Sequence, residues 1–160
     1  MHFLKNSPTP FHAVESIRNI LDKAGFTELS EGDSWNIADG GKHYVIRGGS
    51  SIVAFSRGEG NLAEEGFRIV GAHTDSPCLR LRPNAEIADR HYLRYGAEIY
   101  GGVILSTWFD RDLSLAGRVF FTEKNGKTRH ALVDFKNPVA VVPNLAIHLN
   151  RSVNENRTIQ

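Results

Sequence analysis

The chain has 160 residues, 41% hydrophobic and 23% charged, which is the composition of an ordinary globular protein. A formal net charge of +1 provides no broad basic field, so we expect no nucleic-acid partner. Cys78 is the single cysteine, which excludes an internal disulfide and a cysteine-rich zinc knuckle. The sequence has no apolar run long enough to span a bilayer, so we expect no membrane partner and a cytoplasmic location.

The first predicted elements are a helix and a hairpin. Thr9 suits a helix N-cap and Pro10 the first helical position, and apolar residues then recur at three- and four-residue spacing. The segments HYVI and SIVAF flank Gly48 and Gly49, whose tolerance of positive φ suits a tight hairpin turn.

A loop and a buried strand follow. The composition of GEGNLAEEG predicts a loop, and FRIVGA (residues 67–72) predicts a central β-strand. A helix, a hairpin and a buried strand in this order indicate the beginning of an α/β layered domain.

From about Pro83 the pattern changes to short β segments separated by turns. YLRYGAEIY alternates in polarity, and GRVFFTEK and KTRHALVDF meet at Asn125-Gly126, a strong hairpin signal. PVAVV predicts another strand, and Pro143 predicts the start of a short helix that carries His148. We therefore divide the chain into residues 1–83 and 84–160.

His73 and Asp75 directly follow the predicted strand FRIVGA. In an extended segment residues i and i+2 project to the same side, so the imidazole and the carboxylate are expected to be neighbours. Metal-bound histidines commonly donate their other ring N–H to a carboxylate. Metal binding and a hydrogen-bonded polar pair at a strand end both fit this spacing, because a zinc site also needs ligands from elsewhere.

Other polar residues admit a chemical and a structural interpretation. Asp110 and Asp112 flank Arg111 and could bind a metal or transfer protons, but with Arg118 nearby an ion-pair network that stabilises a turn or an interface is favoured. His148 lies beside a leucine stripe, where a packing role is the more common one. Cys78 and Ser76 are weak candidates for a nucleophile, since Ser76 has no nucleophile-elbow glycines around it.

Four strings, in order, cover nearly the whole chain: FLKNSPTPFHAV, GAHTDSPCLR, YGGVILSTWFDRDLSLAGRV and VPNLAIHLNRSVNEN. Together they resemble the aspartyl aminopeptidases, a family of zinc-dependent two-metal aminopeptidases. The resemblance implies an α/β fold in which the start of a helix-and-sheet metallopeptidase catalytic domain is followed by a β-rich inserted dimerisation domain.

The resemblance also implies roles for individual residues. His73 would be a ligand of one zinc in a two-zinc site, and Asp75 the carboxylate that orients it within the catalytic site. His148 matches a family histidine that binds substrate and reaches a neighbouring subunit, with zinc ligation as the rival role. Asp110 and Asp112 would lie in the dimerisation domain as structural residues.

The implied reaction is hydrolysis of the N-terminal residue, preferentially Asp or Glu, from a peptide. Two metals would hold the attacking water and a glutamate would act as general base. The family's other ligands and its base are expected after Gln160, so we expect a fragment that is inactive alone and leaves apolar faces open. We expect it to associate with another copy, as a homo-oligomer, or with the missing remainder of the protein. The alternative is a non-catalytic assembly fragment, in which His73 has no metal role.

Overall fold

A computed structural model describes residues 1–155, so the last five residues of the predicted segment 84–160 lie outside the described part. The chain forms two compact units: Met1–Ser76 with Ala116–Asp134, and Pro77–Leu115 with the chain from Phe135 onward. Both helices and strands are present, which confirms the α/β class. Within residues 1–155 none of the helices has the length and apolarity needed to cross a bilayer.

The first unit begins with two helices, α1 (His2–Lys5) and α2 (Pro10–Lys23). Thr9 has an extended backbone and its hydroxyl accepts a hydrogen bond from the backbone N–H of His12. That contact satisfies one of the N–H groups that a helix leaves unpaired at its start, and Pro10 has no N–H to satisfy. The predicted cap and start of this helix are therefore confirmed.

A three-stranded sheet follows, with β1 (Thr27–Glu28), β2 (Lys42–Arg47) and β3 (Ser51–Ser56) in that order. Strand β1 is parallel to β2, and β2 pairs with β3 in an antiparallel hairpin. The turn contains Gly48 at φ 61° and Gly49 at φ 74°, left-handed conformations that L-residues with a side chain adopt at a cost. The predicted hairpin is confirmed, whereas the short strand β1 was not predicted.

The buried apolar core of the described chain is small and lies where α2 meets this sheet. It consists of Ala13 and Val14 from the helix and Tyr44 and Val45 from β2. Tyr44 is 2% exposed, and its hydroxyl donates to the Asp22 carboxylate at 2.7 Å near the C-terminal end of α2. A single side chain thus contributes apolar packing and a polar link between helix and sheet.

Two predictions for residues 58–72 are wrong. A short helix, α3 (Leu62–Glu65), forms within the predicted loop, because the Asn61 side chain accepts from the N–H of Ala63 and caps it. The segment 67–72 is not a strand, and Phe67, Ile69 and Val70 are 76%, 87% and 98% exposed. An apolar run becomes a strand only beside a partner strand, and within residues 1–155 no strand pairs with it.

The second unit contains a long antiparallel pair, β4 (Cys78–Ala88) and β5 (Leu93–Tyr100), with a register shift between Leu81 and Glu86. The alternating segment thus forms the predicted strand β5. The predicted PVAVV strand is replaced by isolated bridges, Phe109 with Val142 and Leu113 with Ala140.

The predicted helix after Pro143 is also absent from the described residues. The chain makes a turn at 147–149, in which the N–H groups of Leu149 and Asn150 donate to the Ala146 carbonyl. An isolated helix of eight residues is too short to be stable without packing.

The chain returns to the first unit as a hairpin of β6 (Ala116–Thr122) and β7 (Thr128–Asp134), as predicted from Asn125-Gly126. The Arg118 guanidinium on β6 lies 4.0 Å from the ring centre of Phe11 on α2 and 5.1 Å from that of Phe120. The contact with Phe11 attaches the returning hairpin to α2, whereas the contact with Phe120 lies within β6.

The Gly126→Ala substitution is expected to lower the free energy of unfolding by about 1–2 kcal/mol. Gly126 has φ +81°, and a methyl group added there would meet no other atom within 4 Å, so the cost is backbone strain alone. The matched control is Gly117→Ala on the same hairpin, which also has open space but no positive φ and is expected to be neutral or stabilising. Urea denaturation of both variants measures the difference, and equal midpoints would contradict the prediction.

Candidate metal centre

His73 and Asp75 are in contact, as their spacing predicts, although they lie outside any strand. The Nδ1 atom of His73 is 2.8 Å from the backbone carbonyl oxygen of Asp75 and 3.2 Å from its Oδ1 atom. The chain therefore directs two oxygens of one residue at the same ring nitrogen.

This geometry determines the tautomer of His73. Both neighbours of Nδ1 are oxygens that can only accept when the carboxylate is ionised, so Nδ1 must carry the proton and donate it. In a neutral imidazole the other nitrogen, Nε2, then holds the lone pair. A histidine prepared in this way presents Nε2 to a metal, which is the arrangement of metal-bound histidines backed by a carboxylate or carbonyl.

The ring is also accessible to a metal and to further ligands. The His73 side chain is 81% exposed and that of Asp75 44%. Among residues 1–155 no three His, Cys, Asp or Glu side chains converge into a possible metal site. The donor set therefore fits one corner of a zinc site, and a complete site needs ligands beyond those that the described residues bring together.

Thr74, between the two, faces a different partner. Its hydroxyl donates to the backbone carbonyl of Ser50 at 2.7 Å, in the turn between β2 and β3. Gly48 in the same turn accepts a hydrogen bond from Arg118 Nη1 at 2.8 Å. Neither contact is predicted from the sequence, because the bonded residues are 24 and 70 positions apart and no local pattern signals such pairs.

Asp110 has a structural contact in the second unit. Its carboxylate accepts from the backbone N–H of Asn144 at 2.8 Å and from its side-chain amide at 2.6 Å. These two hydrogen bonds, the backbone one first, lower the pKa of Asp110 below its ordinary value. The sequence suggested an ion-pair network between Arg118 and the Asp110–Asp112 segment. Arg118 instead donates to the Gly48 carbonyl and lies over the ring of Phe11.

The remaining candidates lie apart from any cluster. His148 is exposed in the turn 147–149 of the second unit. Cys78 begins β4, where burial raises the pKa of its thiol despite a smaller opposing effect of Arg80. A raised pKa reduces the thiolate population, which argues against a nucleophilic cysteine.

Comparison with known proteins identifies the family. The family model described as "Aminopeptidase I zinc metalloprotease (M18)" matches residues 3–160. A "Probable M18 family aminopeptidase 2" of Pseudomonas aeruginosa (strain LESB58) is 56% identical over 153 residues, covering 96% of this chain and 35% of the relative. The protein of that name from Pseudomonas putida (strain KT2440) is 54% identical over 155 residues, covering 97% and 36%. The chain thus spans about a third of the length of these curated relatives.

Solved structures agree in fold. A chain in a cryo-EM structure of the Ape4 and Nbr1 complex matches with a TM-score of 0.91 at 43% identity, over 99% of this chain and 31% of that one. The Saccharomyces cerevisiae mApe1 dodecamer matches with a TM-score of 0.83 at 32% identity, over 96% and 42%. The sequence match over nearly the whole chain and the shared fold lead to one conclusion: the chain belongs to the M18 family of aminopeptidase I zinc metalloproteases.

Proposed function

We propose that this chain is the N-terminal part of a zinc-dependent aminopeptidase and supplies one histidine ligand of its metal site. The single observation that carries the proposal is the pair His73–Asp75, in which two oxygens hold the Nδ1 proton and leave Nε2 as the ligand atom. Family membership supports zinc as the metal.

The proposed substrate is a peptide whose N-terminal residue is Asp or Glu. Two zinc ions are proposed for the complete site; when bound, zinc activates a water molecule and polarises the peptide carbonyl. In this chain Nδ1–H of His73 would donate to the backbone carbonyl and the carboxylate of Asp75, and these hydrogen bonds would hold the ring in one orientation and one tautomer. The general base, a glutamate, is assigned to the part of the enzyme that follows this chain.

Exposed apolar side chains support the proposal that the chain is completed by more protein. Phe67, Ile69 and Val70 face solvent although their residue types favour burial. In a protein as long as the curated relatives, further strands of the catalytic domain would pair with this segment. It would then become the central strand that its sequence predicts. We propose residues 1–83 as part of that domain and 84–160 as part of an inserted dimerisation domain.

We further propose that the enzyme is a cytoplasmic homo-oligomer in which His148 binds substrate, with zinc ligation as its rival role. The similar mApe1 protein of Saccharomyces cerevisiae is a dodecamer, which supports assembly. His148 is exposed in its turn, so its ring is accessible to a ligand or to a neighbouring subunit.

The test uses the longer gene product, meaning the complete enzyme of which this chain is proposed to be the N-terminal part. Its substrates are peptides that begin with Asp, Glu or Leu and carry a chromogenic leaving group. We expect turnover to favour Asp and Glu, to disappear with a chelator and to return with zinc. The 160-residue chain assayed in parallel is expected to show only background hydrolysis. Metal-independent turnover, or turnover by the isolated chain, would contradict the proposal.

A non-catalytic assembly role is the alternative, and the long hairpin of the second unit favours it. Four of its exposed apolar residues lie on one face of the pair, by strand alternation and register: Leu81, Leu93, Tyr95 and Ile99. Such a surface is typical of a protein interface. An oligomer that binds no zinc and cleaves no peptide would favour this alternative.

A further inference from the structure

The segment that carries His73 lacks the usual means of holding a ligand in place. Within the described residues it belongs to no β-ladder, and its apolar residues at 67–70 are exposed. A metal ligand must nevertheless be held within a few tenths of an ångström, since the affinity of a site depends on the orientation of its ligands. Another contact must therefore supply this restraint.

Thr74 makes such a contact. Its side chain is half-buried, unlike that of His73, and its hydroxyl reaches the Ser50 carbonyl at 2.7 Å. His73 and Asp75, on either side of Thr74, contact each other. One residue thus attaches the backbone between the two members of the pair to the β2–β3 hairpin of the first unit.

The turn that accepts this hydrogen bond is itself supported. Gly48 O accepts from Arg118 Nη1 at 2.8 Å, and the same guanidinium stacks on Phe11 at 4.0 Å. A methyl group added at Gly49 would lie 3.0 Å from Arg118 Nη1, so the guanidinium lies directly against the turn. The turn is therefore attached to both α2 and the β6–β7 hairpin.

We propose that Thr74 is a positioning residue for the His73–Asp75 pair, acting through its hydrogen bond to Ser50, and that Arg118 supports the turn that receives this bond. The inference rests on the proposed function, because it assumes that His73 ligates zinc. Neither residue touches the metal or the substrate in this role; both act on the position of His73.

The experiment measures zinc affinity in the longer gene product by competition with a chromogenic chelator. Thr74→Val keeps the shape of the side chain but removes the hydroxyl, and it is expected to weaken zinc binding about 3- to 10-fold, consistent with the loss of one hydrogen bond. Thr74→Ser keeps the hydroxyl and is expected to restore affinity to within about twofold of the unmodified protein. The visible spectrum of the cobalt-substituted protein should change in Thr74→Val and not in Thr74→Ser.

Two control substitutions separate positioning from general destabilisation. Thr107→Val removes a hydroxyl that also donates to a backbone carbonyl, that of Ile104 at 2.8 Å, but in the second unit. Arg118→Met tests the support of the turn, with Arg129→Met as its control on the same hairpin, where Arg129 pairs with Glu123. We expect Arg118→Met to weaken zinc binding about two- to threefold and both controls to leave it unchanged.

The outcomes distinguish this inference from the proposed function. If His73→Ala leaves zinc affinity unchanged, the ligand assignment fails and the inference fails with it. If His73→Ala releases zinc but Thr74→Val binds it normally, or if Thr74→Ser is as weak as Thr74→Val, the positioning role alone is overturned. Should Thr74→Val fail to fold, Arg118→Met provides the test. Normal zinc affinity in that variant would overturn the proposed link from Arg118 through the turn to Thr74 and His73.

Discussion

Replacing His73 by alanine is expected to abolish zinc-dependent peptide hydrolysis by the longer gene product and to reduce its zinc content. Removing the ring removes the proposed ligand, whereas Asp75→Asn removes only the carboxylate beside Nδ1 and leaves the backbone carbonyl at 2.8 Å in place. Loss of an outer partner of this kind typically costs about 10- to 100-fold in metal affinity or activity. We therefore expect a graded series in which His73→Ala loses well over about 100-fold and Asp75→Asn lies within that range.

The control is His91→Ala, which removes an exposed histidine from the turn between β4 and β5. It is expected to keep normal zinc content and activity. Zinc is measured by elemental analysis after gel filtration, and activity with a chromogenic acidic peptide. Equal behaviour of His73→Ala and His91→Ala would refute the assignment of His73 as a ligand.

The same measurements separate the two roles proposed for His148. If it binds substrate, His148→Ala keeps zinc and raises KM, because the metal ligands are intact. If it ligates zinc, His148→Ala behaves like His73→Ala and loses the metal.

Replacing Tyr44 by alanine is expected to destabilise the chain by about 3–5 kcal/mol. Tyr44 is the largest fully buried side chain among the described residues and one of only four buried apolar residues there, so little else can fill the space it leaves. Tyr44→Phe keeps the ring and removes the hydrogen bond to Asp22, and it is expected to cost about 1–2 kcal/mol. Tyr92→Ala is the control, since Tyr92 is 72% exposed. Urea denaturation followed by far-UV circular dichroism measures all three variants, and a Tyr44→Ala midpoint equal to that of Tyr92→Ala would contradict the prediction.

The hydroxyl of Tyr44 is also expected to make the free energy of unfolding depend on pH in the alkaline range. Burial first, and then the hydrogen bond to Asp22, raise the pKa of Tyr44 far above its ordinary value of 10.0. Below pH 10 both states keep the proton and the contribution is fully present. Above pH 10 the unfolded chain loses the proton first, so stability falls as the pH rises toward the folded-state pKa. The gap in stability between the unmodified chain and Tyr44→Phe should therefore be smaller at about pH 11 than at about pH 8, and an equal gap at both pH values would show that folding does not raise the pKa of Tyr44.

Features with local causes could be predicted from the amino-acid sequence. The Thr9 cap with Pro10, the glycine-rich turn at 48–49 and the Asn125-Gly126 turn each require particular backbone angles or hydrogen bonds within a few residues, and all three occur as predicted. The proximity of His73 and Asp75 likewise follows from a two-residue spacing.

Features that depend on distant partners could not be predicted from the sequence and are seen only in the folded chain. The segment 67–72 has the composition of a buried strand, but a strand exists only when another strand satisfies its backbone groups, and none of residues 1–155 does so. The residues after Pro143 form a turn and not a helix, because so short a helix depends on packing that its own sequence does not provide. The contacts of Thr74 with Ser50 and of Arg118 with Gly48 join residues 24 and 70 positions apart, and only the folded chain brings those groups within hydrogen-bonding distance.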